Sequence, residues 1–588
     1  MHLSRIEIQN FRNFKHLTLP LRPTVVIVGE NKVGKSNLVH ALRLVLDPSL
    51  PDTRRYLSAE DFWDGLDTPF GGHVIQVSVD IAGFKDDKEA QSVLTDSLIQ
   101  SNPMVARFTY QFRPRTTIAP SGTEEDDYEF VVFGGADEKN RVGSDVRRWV
   151  SLQLLPALRD AEGEIQSWRR SPLRPLLERL TLDPERLGEI LQDLESATDA
   201  LLEERPVQEL TQEIAERVTE MVGELHGVDA RLGFVSTRPE QILRSVRLFV
   251  DGDKSRPLNQ ASLGTTNVLF LALLMQNMDA RKRAKETVAT ILAIEEPEAH
   301  LHPHVQRLVF RYFLRREAPL IVTSHSPHIA SVTPLSSVVV LRSSENEGSK
   351  AFTTHNLDLD EIQVADLERY LDVTRAEILF ARGVILVEGA AELFLVPAFA
   401  SGDLDRLGIT VCSVHGTDFA PYWRLLSHDG LDIPCVVITD GDPCEQDGRI
   451  VYLGIRRGER LVQALRQDEV SATCVHPRNW DESRRLLAEA GIFVGNQTLE
   501  IDLLDGFADI MTETYRELVN SSRRTRAFRK AVEATKMGDN QAQQSILSRI
   551  EDVGKGRFAQ RLAGKVGSRE PPQYIKAAIG KIVELVGS

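Results

Sequence analysis

A glycine-rich segment near the start of the chain has the residue types that bind nucleotide phosphates. Residues 29–36 read Gly-Glu-Asn-Lys-Val-Gly-Lys-Ser and match the pattern GxxxxGK[ST]. Glycines let backbone N–H groups curl around phosphate oxygens, and the start of the following helix adds partial positive charge. We predict that Lys35 reaches the β- and γ-phosphates and that Ser36 ligates Mg²⁺. The predicted nucleotide contacts are Asn31, Gly34, Lys35, Ser36 and Asn37.

Two carboxylates and a histidine are expected to complete this site. Residues 288–294 read as a buried strand that ends in Glu295 and Glu296. Adjacent residues at a strand end point to opposite sides. We therefore predict that Glu295 helps to hold Mg²⁺, while Glu296 orients the water that attacks the γ-phosphate. His325 follows the next apolar run, 319–323, and is predicted to contact the γ-phosphate.

Six further carboxylates follow apolar runs in the second half of the chain. They form the patterns EGxxE, DxD and ExD, and they are Glu388, Glu392, Asp440, Asp442, Glu500 and Asp502. Six acids that converge would repel one another unless divalent cations neutralised them. All-oxygen ligand sets favour Mg²⁺, Mn²⁺ or Ca²⁺ over zinc. Each acid taken alone is equally consistent with a helix cap or a solvated loop residue.

The elements that must position these residues alternate between strands and helices. A β-branched run at 24–28 precedes the glycine-rich turn, and a helix is predicted from Ser36 to about Leu46. Further strands are expected within 73–84 and 106–134. The apolar runs 384–387 and 435–439 each end in an acid and start a new α/β pattern.

The middle of the chain has a helical pattern. Residues 150–225 carry apolar residues three and four apart among many charges, which is typical of amphipathic helices. This segment fits either a dimerisation arm or a plain helical subdomain. The polar and acidic stretch 358–368 is predicted to be a linker between the two halves.

Length and composition predict a multidomain globular protein. At roughly 100–200 residues per domain, 588 residues predict about three or four domains. A hydrophobic content of 42% excludes disorder as the dominant state, and no apolar run is long enough for a membrane span. The N-terminus lacks a secretory pattern, and the four cysteines form no CxxC pair. These features predict a cytoplasmic protein without a disulfide framework or a zinc ribbon.

Charge is distributed unevenly along the chain. The formal net charge is −16, yet residues 521–588 hold 14 Lys/Arg against 6 Asp/Glu, a net of +8. A polyanion would therefore bind to local basic surface, with Arg523, Arg524, Arg526, Arg529 and Lys530 as the predicted contacts. Charge alone is equally consistent with a solvated basic helix.

The order of phosphate loop, acid pair and histidine resembles the ABC-type ATPases of the RecF/SMC group. Residues 8–14 resemble the opening strand of these proteins. The resemblance implies ATP as the nucleotide, and a dimer in which a signature helix of one subunit touches nucleotide on the other. Residues 261–266 match that signature at Ser262 and Gly264 but depart from Ser-Gly-Gly-Gln at 263 and 265. Gln76 and the 61–62 region are candidates for the glutamine loop.

The ordered acids of the second half resemble the Toprim domain of topoisomerases, primases and certain nucleases. In that fold the acids hold one or two metals at a phosphodiester. An ABC ATPase followed by Toprim resembles the OLD (overcoming lysogenisation defect) nucleases, a group that includes the nuclease subunit of Gabija-type phage-defence systems. Residues 299–303, 379–383 and 555–560 add to this resemblance. The chain looks most like the stand-alone second class, which implies a catalytic role for Lys555.

The resemblance implies an α/β architecture in four segments. An ABC-type, RecF/SMC-like ATPase is expected at 1–150 and 231–370, with a helical insert at 151–230 that is expected to act as a dimerisation arm. A Toprim α/β domain with helical additions and a basic tail is expected at 376–588.

The expected function is that of an ATP-regulated, divalent-metal-dependent DNA endonuclease. Its predicted catalytic residues are Glu296, His325, Glu388, Asp440 and Lys555. We expect Mg²⁺ at the ATP site and two Mg²⁺ or Mn²⁺ ions at the Toprim acids, where Ca²⁺ would bind without supporting cleavage. Expected partners are DNA and a second copy of the chain, with a helicase-like partner as an option, and no membrane.

Two other classes of protein remain open at this point. A topoisomerase or primase would use the same acids, with Tyr515 or Tyr574 as the candidate nucleophile of a topoisomerase. A non-cleaving, SMC-like clamp would bridge DNA without needing the second cluster of acids.

Overall fold

The structure is a computed structural model that groups the chain into two units. The described residues are 1–115, 124–157, 160–222, 243–244, 246–251, 256–316, 318–344, 346–357, 359–371, 375–446, 449–465 and 480–587. The first unit comprises 1–155, 291–298 and 303–588, and the second comprises 156–290 and 299–302. The predicted domain boundary at 230 lies outside the described residues, as does Cys474, and the four predicted segments stay predictions.

A large mixed sheet forms the core of the N-terminal half. Its strands are β1 (His2–Phe11), β2 (Phe14–Pro20), β3 (Thr24–Gly29), β4 (Ile75–Ala82), β5 (Leu98–Ser101), β6 (Met104–Pro114), β7 (Tyr128–Gly134) and β8 (Val150–Leu155). A short β9 (Phe249–Val250) and β10 (Arg256–Pro257) pair separately, and the large sheet continues with β11 (Ala289–Glu295), β12 (Leu320–Ser324), β13 (Val338–Ser344) and β14 (Gly348–Thr353).

The strands that carry the predicted nucleotide site are parallel neighbours. The strand order runs β13–β3–β12–β11, and each of the three pairs is parallel. Val25 to Val28 and Leu320 to Ser324 are buried throughout, as expected for strands covered on both faces. Because the carboxyl ends of parallel strands lie at one edge, the loops after β3, β11 and β12 meet there.

Helices of this half surround the sheet or form the second unit. They are α1 (Lys35–Leu46), α2 (Lys88–Leu94), α3 (Ser144–Trp149), α4 (Ala161–Gln166), α5 (Arg174–Leu177), α6 (Pro184–Leu202), α7 (Arg205–Val222), α8 (Leu263–Arg283), α9 (Pro303–Leu314), α10 (Pro327–Ala330) and α11 (Glu361–Tyr370). The predicted helix at 36–46 is confirmed, since α1 begins one residue earlier and ends at the same residue.

Two expectations about the middle of the chain are wrong. Residues 150–155 form β8 in the large sheet, where the side chains of Val150, Leu152 and Leu155 are buried. The expected linker at 358–368 is largely helical. Asp360 caps α11 through the backbone N–H of Gln363, and Leu367 and Tyr370 are buried.

The C-terminal half is built on a four-stranded parallel sheet. Its strands are β15 (Gly383–Val387), β16 (Ile409–Ser413), β17 (Cys435–Thr439) and β20 (Ile492–Val494), in the order β16–β15–β17–β20, and a hairpin is formed by β18 (Pro443–Gln446) and β19 (Arg449–Tyr452). The helices are α12 (Ala390–Phe399), α13 (Asp403–Arg406), α14 (Ala420–Leu426), α15 (Leu453–Leu465), α16 (Trp480–Glu489), α17 (Leu499–Asp502), α18 (Leu504–Val519), α19 (Ser522–Lys536), α20 (Asn540–Val553), α21 (Lys555–Ala563) and α22 (Gln573–Gly587).

A partly buried arginine, Arg342, connects the two sheets of the first unit. Arg342 follows Leu341, the β13 residue in register with Gly29 of the phosphate loop. Its guanidinium donates to the carbonyl oxygens of Arg382 at 3.0 Å and Asp432 at 2.7 Å. Those residues precede β15 and β17, so the amino ends of both strands are anchored beside the phosphate loop.

No helix of the described residues is long and apolar enough to cross a membrane. In the part of the chain that the structure describes, Cys412, Cys435 and Cys444 form no disulfide bond.

Candidate functional site

The glycine-rich segment forms a tight loop around the amine of Lys35. Lys35 is the first residue of α1, and its Nζ donates to the carbonyl oxygens of Gly29 at 2.9 Å and Glu30 at 2.8 Å. Gly34 precedes the helix with φ +96°, a left-handed conformation that suits glycine. Burial lowers the pKa of Lys35 to about 8, against the raising effect of Glu296, Glu298 and Glu30.

An asparagine from the β1–β2 turn supports this loop. Asn13 donates to the Val33 carbonyl at 2.8 Å and accepts from Asn37 Nδ2 at 2.7 Å. A Cβ on Gly34 would lie 2.0 Å from Asn13 Nδ2, so only glycine leaves room for this contact. Asn37 also accepts from Arg12 at 2.8 Å. Asn37 therefore supports the loop through its hydrogen bonds with Asn13 and Arg12. Its predicted contact with nucleotide stays a prediction.

The acid pair and the histidine lie at the same edge of the sheet. Ser36 hydrogen-bonds Glu295, and Glu296 Oε1 lies 3.6 Å from His325 Nε2. Burial and the charge of Lys35 lower the pKa of His325, so its imidazole is neutral at pH 7. The structure therefore brings Lys35, Ser36, Glu295, Glu296 and His325 together.

A third acid of this segment has a positioning role that sequence reasoning missed. Glu298 accepts from Ser324 Oγ at 3.0 Å and from the His325 backbone N–H at 2.7 Å. The Glu298 carboxylate thus fixes the end of β12, together with His325, against the loop after β11. The sequence Glu-Glu-Pro-Glu at 295–298 was the signal that could have revealed this acid. That pattern does not show towards which residues the Glu298 side chain points.

The predicted signature residues start a helix in the second unit. Ser262 caps α8 by accepting from Thr265 N at 3.1 Å. Gly264 leaves room for the His300 carbonyl, 2.7 Å from where a Cβ would lie.

The two candidates for the glutamine loop differ in their contacts. Gln76 lies inside β4 and accepts from Gln111 across the sheet at 2.8 Å. Asp61 accepts from Arg12 Nε at 2.9 Å, and Arg12 also donates to Asn37. Asp61 is therefore connected to Asn37 through Arg12.

The second candidate site lies at the carboxyl edge of the four-stranded sheet. Glu388 follows β15 and accepts, on Oε1, from Thr439 Oγ1 and from the Asp440 backbone N–H at 2.9 Å. Glu392, in the first turn of α12, reaches back to the Gly389 N–H at 3.2 Å. Asp440 follows β17 and accepts from the Leu499 N–H at 2.9 Å. Neighbouring parallel strands therefore present these acids side by side.

Mutual repulsion among these acids contributes to raised pKa values of Glu392 and Asp440. Burial, together with the charges of Glu500 and Glu388, raises the pKa of Glu392 to about 7. Burial, together with the charges of Glu392, Glu388, Glu500 and Asp442, raises the pKa of Asp440 to about 9. Asp440 therefore keeps its proton at neutral pH and Glu392 is about half protonated, so a divalent cation must displace these protons when it binds.

Two cationic side chains lie against the cluster. Lys555 starts α21 with its Nζ 3.4 Å from Glu500 Oε1. Burial would lower the pKa of Lys555, but the charges of Glu500, Asp440 and Glu392 outweigh it and raise that pKa. Arg457 of α15, which sequence reasoning missed, lies 3.0 Å from Glu388 Oε1 and 2.8 Å from Asp442 Oδ2.

The third pair of acids, Glu500 and Asp502, lies in a helical turn and not directly after a strand. These residues follow β20 through a short loop and form the helical turn α17, so Glu500 and Asp502 point in different directions. Asp502 accepts from the backbone N–H groups of Asn496 at 2.9 Å and Gln497 at 3.1 Å. Both of its oxygens hold the loop, and the predicted contact of Asp502 with a metal ion stays a prediction.

The five remaining acids suit a hard divalent cation in their chemistry. Their donors are all carboxylate oxygens, and burial with mutual repulsion makes added positive charge favourable. Within the described residues, however, no three acidic, histidine or cysteine side chains already form a ligand group. The contacts of these acids are instead with backbone N–H groups, with Thr439 and with the cations Arg457 and Lys555.

Comparisons with known proteins match both halves of the chain. The family model described as "AAA domain, putative AbiEii toxin, Type IV TA system" matches residues 25–331, more than half of the chain. The model "Overcoming lysogenization defect protein-like, TOPRIM domain" matches residues 379–442, which contain Glu388, Glu392, Asp440 and Asp442. An OLD nuclease of Thermus scotoductus is 26% identical over 475 residues, covering 76% of this chain and 83% of the relative. The chain belongs to the OLD family.

Further OLD-family relatives share one or both halves. The endonuclease GajA of Bacillus cereus is 23% identical over 505 residues, covering 80% of this chain and 81% of the relative. The C-terminal region of the Burkholderia pseudomallei OLD protein is 40% identical, covering 35% of this chain and 99% of that chain, with a TM-score of 0.29. This OLD-family chain thus joins an AAA-type ATPase domain to a Toprim domain, as the sequence motifs predicted.

The pKa of Lys35 predicts how nucleotide binding by this OLD-family protein depends on pH. Only the charged amine attracts phosphate, and it loses its proton as the pH rises through about 8. ATP affinity, measured with a fluorescent ATP analogue, should fall from pH 7 to 9.5 by up to about tenfold per pH unit above 8. Lys32→Ala, which removes an exposed lysine of the same loop, should keep this profile. A flat affinity across the range would contradict the prediction.

Proposed function

We propose that this protein is an ATP-binding, divalent-metal-dependent DNA endonuclease. The observation that carries the proposal is the buried acid cluster at the edge of β15, β17 and β20, with Lys555 against it. A structural ion-pair network would not need acids that raise one another's pKa. A site that takes up divalent cations beside a phosphodiester does.

The roles of the Toprim residues follow from their positions. Glu388, Glu392, Asp440, Asp442 and Glu500 would hold two Mg²⁺ or Mn²⁺ ions, which activate the attacking water and stabilise the leaving oxygen when bound. Lys555 keeps its charge because the acids raise its pKa. It is therefore suited to stabilise negative charge on the scissile phosphate.

The roles at the ATP site are assigned in the same way. Lys35 would contact the terminal phosphates, while Ser36 and Glu295 would hold Mg²⁺. Glu296 would orient the attacking water. The neutral imidazole of His325, held by Glu298 through its backbone, would contact the γ-phosphate.

The environments of two tyrosines disfavour a topoisomerase. Tyr515 is fully buried and stacks on Phe528, with ring centroids 4.3 Å apart, so it is not available to a DNA strand. Burial and the charges of Asp502 and Asp440 raise the pKa of Tyr574 well above its usual value. That shift opposes formation of the phenolate nucleophile that strand transfer needs.

A role in phage defence, a helicase-like partner and membership of the stand-alone second class rest on the resemblance of the sequence motifs. They stay predictions.

Plasmid cleavage tests the nuclease proposal. With supercoiled plasmid and Mn²⁺, the wild type should nick and linearise DNA, and EDTA should abolish both products. Glu388→Ala should lose cleavage but keep ATP hydrolysis, whereas Lys35→Ala should lose hydrolysis. Asp502→Asn serves as the matched control, because Asp502 holds a loop and should affect cleavage less than Glu388. Relaxed but closed product would indicate a topoisomerase, and binding without breaks would indicate a clamp.

The basic helix α19 is proposed to contact the DNA backbone. Arg523, Arg529 and Lys530 are exposed on it. Neutralising two phosphate contacts should lower the slope of log affinity against log salt by about 2. We predict this change for the double variant Arg523→Gln/Arg529→Gln in filter binding.

The matched control for this test removes two arginines elsewhere. Arg186 and Arg205 are exposed on α6 and α7. Their double glutamine variant should leave the salt slope unchanged. Equal slopes for both double variants would remove α19 from the proposed DNA surface.

A homodimer held by the α6–α7 pair is the proposed assembly. α6 has no buried residue, and Ile190, Leu194 and Leu201 expose 41–52% of their surface on it, while Leu210 and Ile214 are exposed on α7. Apolar stripes of this kind are usually covered by a partner. Light scattering should give about twice 65.8 kDa for the wild type and a smaller mass for Leu194→Asp/Ile214→Asp.

The control for the assembly test is Glu195→Ala, an exposed polar residue of α6, which should stay dimeric. A monomeric wild type at micromolar concentration without ATP would count against the arm.

A further inference from the structure

An arginine bridges two acids of the proposed metal site. Arg457 Nη2 donates to Asp442 Oδ2 at 2.8 Å and to the Asp440 carbonyl at 2.9 Å, and it lies 3.0 Å from Glu388 Oε1. The guanidinium is mostly covered, with 19% of its side-chain surface exposed. A single nitrogen thus joins the ends of β15 and β17.

The position of Arg457 is set by how α15 begins. The Leu453 and Gly454 N–H groups donate to the carbonyls of Asp442 at 3.3 Å and Gly441 at 3.1 Å. A Cβ on Gly454 would lie 1.9 Å from the Asp440 carbonyl oxygen, so glycine lets the helix start press directly onto the acidic loop. Residues three apart share a helix face. Arg457 is therefore held over the same loop one turn later.

The contacts divide the oxygens of each acid into two kinds. Among the described residues, the side-chain contacts of Glu388 all fall on Oε1, from Thr439, Asp440 and Arg457. The side-chain contact of Asp442 falls on Oδ2. Glu388 Oε2 and Asp442 Oδ1 are left to face an ion.

We propose that Arg457 is a positioning residue of the Toprim site, which orients Glu388 and Asp442 so that one oxygen of each is directed at a divalent cation. This inference rests on the proposed function, because it assumes that these acids bind the ion. Outer hydrogen bonds of this kind fix the direction of ligating carboxylates, and their loss typically weakens metal binding about 10–100-fold.

All three contacts fall on Nη2, so the role depends on where the rigid, planar guanidinium places that nitrogen. The charge of the guanidinium also stays constant with pH. An ammonium in its place would keep the charge but lose part of the orientation. Arg457→Lys should therefore bind metal with an affinity between those of the wild type and Arg457→Gln.

Calorimetric titration with Mn²⁺ in the absence of nucleotide tests the proposal on the full-length protein. The heat that Glu388→Ala removes defines the Toprim site. For Arg457→Gln, the Mn²⁺ affinity of that site should fall about 10–100-fold, while the thermal unfolding midpoint without metal stays close to that of the wild type. Arg456→Gln is the matched control, because its neighbouring arginine is exposed and contacts only Gln446, at 3.3 Å, among the described residues. This variant should titrate like the wild type.

Each other outcome decides the question. Unchanged affinity in Arg457→Gln would overturn the positioning role, and so would tighter binding, which would mean that the arginine competes with the ion. If Arg457→Gln does not fold, Arg457→Lys is judged by the same criterion. The plasmid assay is read separately. If the wild type binds Mn²⁺ but does not cleave DNA, the nuclease proposal is wrong and the result for Arg457 still holds. If the wild type shows no heat of Mn²⁺ binding at the Toprim site, the proposed role of Arg457 is wrong.

Discussion

Repulsion among buried carboxylates is the constraint on which the C-terminal half depends. Parallel strands bring Glu388, Asp440 and Glu500 to one edge, where water cannot screen their charges well. The fold offsets this cost with backbone N–H donors, with Lys555 and with Arg457. What remains is an excess of negative charge that protons or divalent cations must neutralise. The same imbalance that destabilises the folded chain is what would give the site its affinity for metal.

Both sites use the same geometric device. In each half, parallel neighbouring strands end at one edge, and polar residues immediately after them converge although they lie far apart in the sequence. The halves are also physically linked, because Arg342 runs from the strand beside the phosphate loop to the amino ends of β15 and β17. Arg382 adds an exposed ion pair with Glu30 of the loop, at 3.5 Å. These contacts hold the amino ends of β15 and β17 close to the phosphate loop.

Much of the fold was predictable because its strongest signals are local. The β-branched run before the glycine-rich loop, the helix at 36–46 and the strand ending at Thr439 follow from periodicity and turn chemistry. Predictions failed where short segments had to be assigned by pattern alone. Residues 150–155 joined a sheet whose other strands lie far away in the sequence, and residues 499–502 formed a helical turn in which alternation has no meaning.

The sequence by itself determined which chemistry is present: a phosphate loop with its acid pair, and a set of carboxylates without thiols or imidazoles among them. Spacing alone specified those groups because each motif is contained within a few residues. Only the tertiary structure decided which side chains meet. Asp502 accepts hydrogen bonds from a loop, and Asn13 and Glu298 support the phosphate loop and the end of β12. Arg457 lies against the acids of the second site. Direction depends on helix starts and strand register, which contacts between distant segments settle.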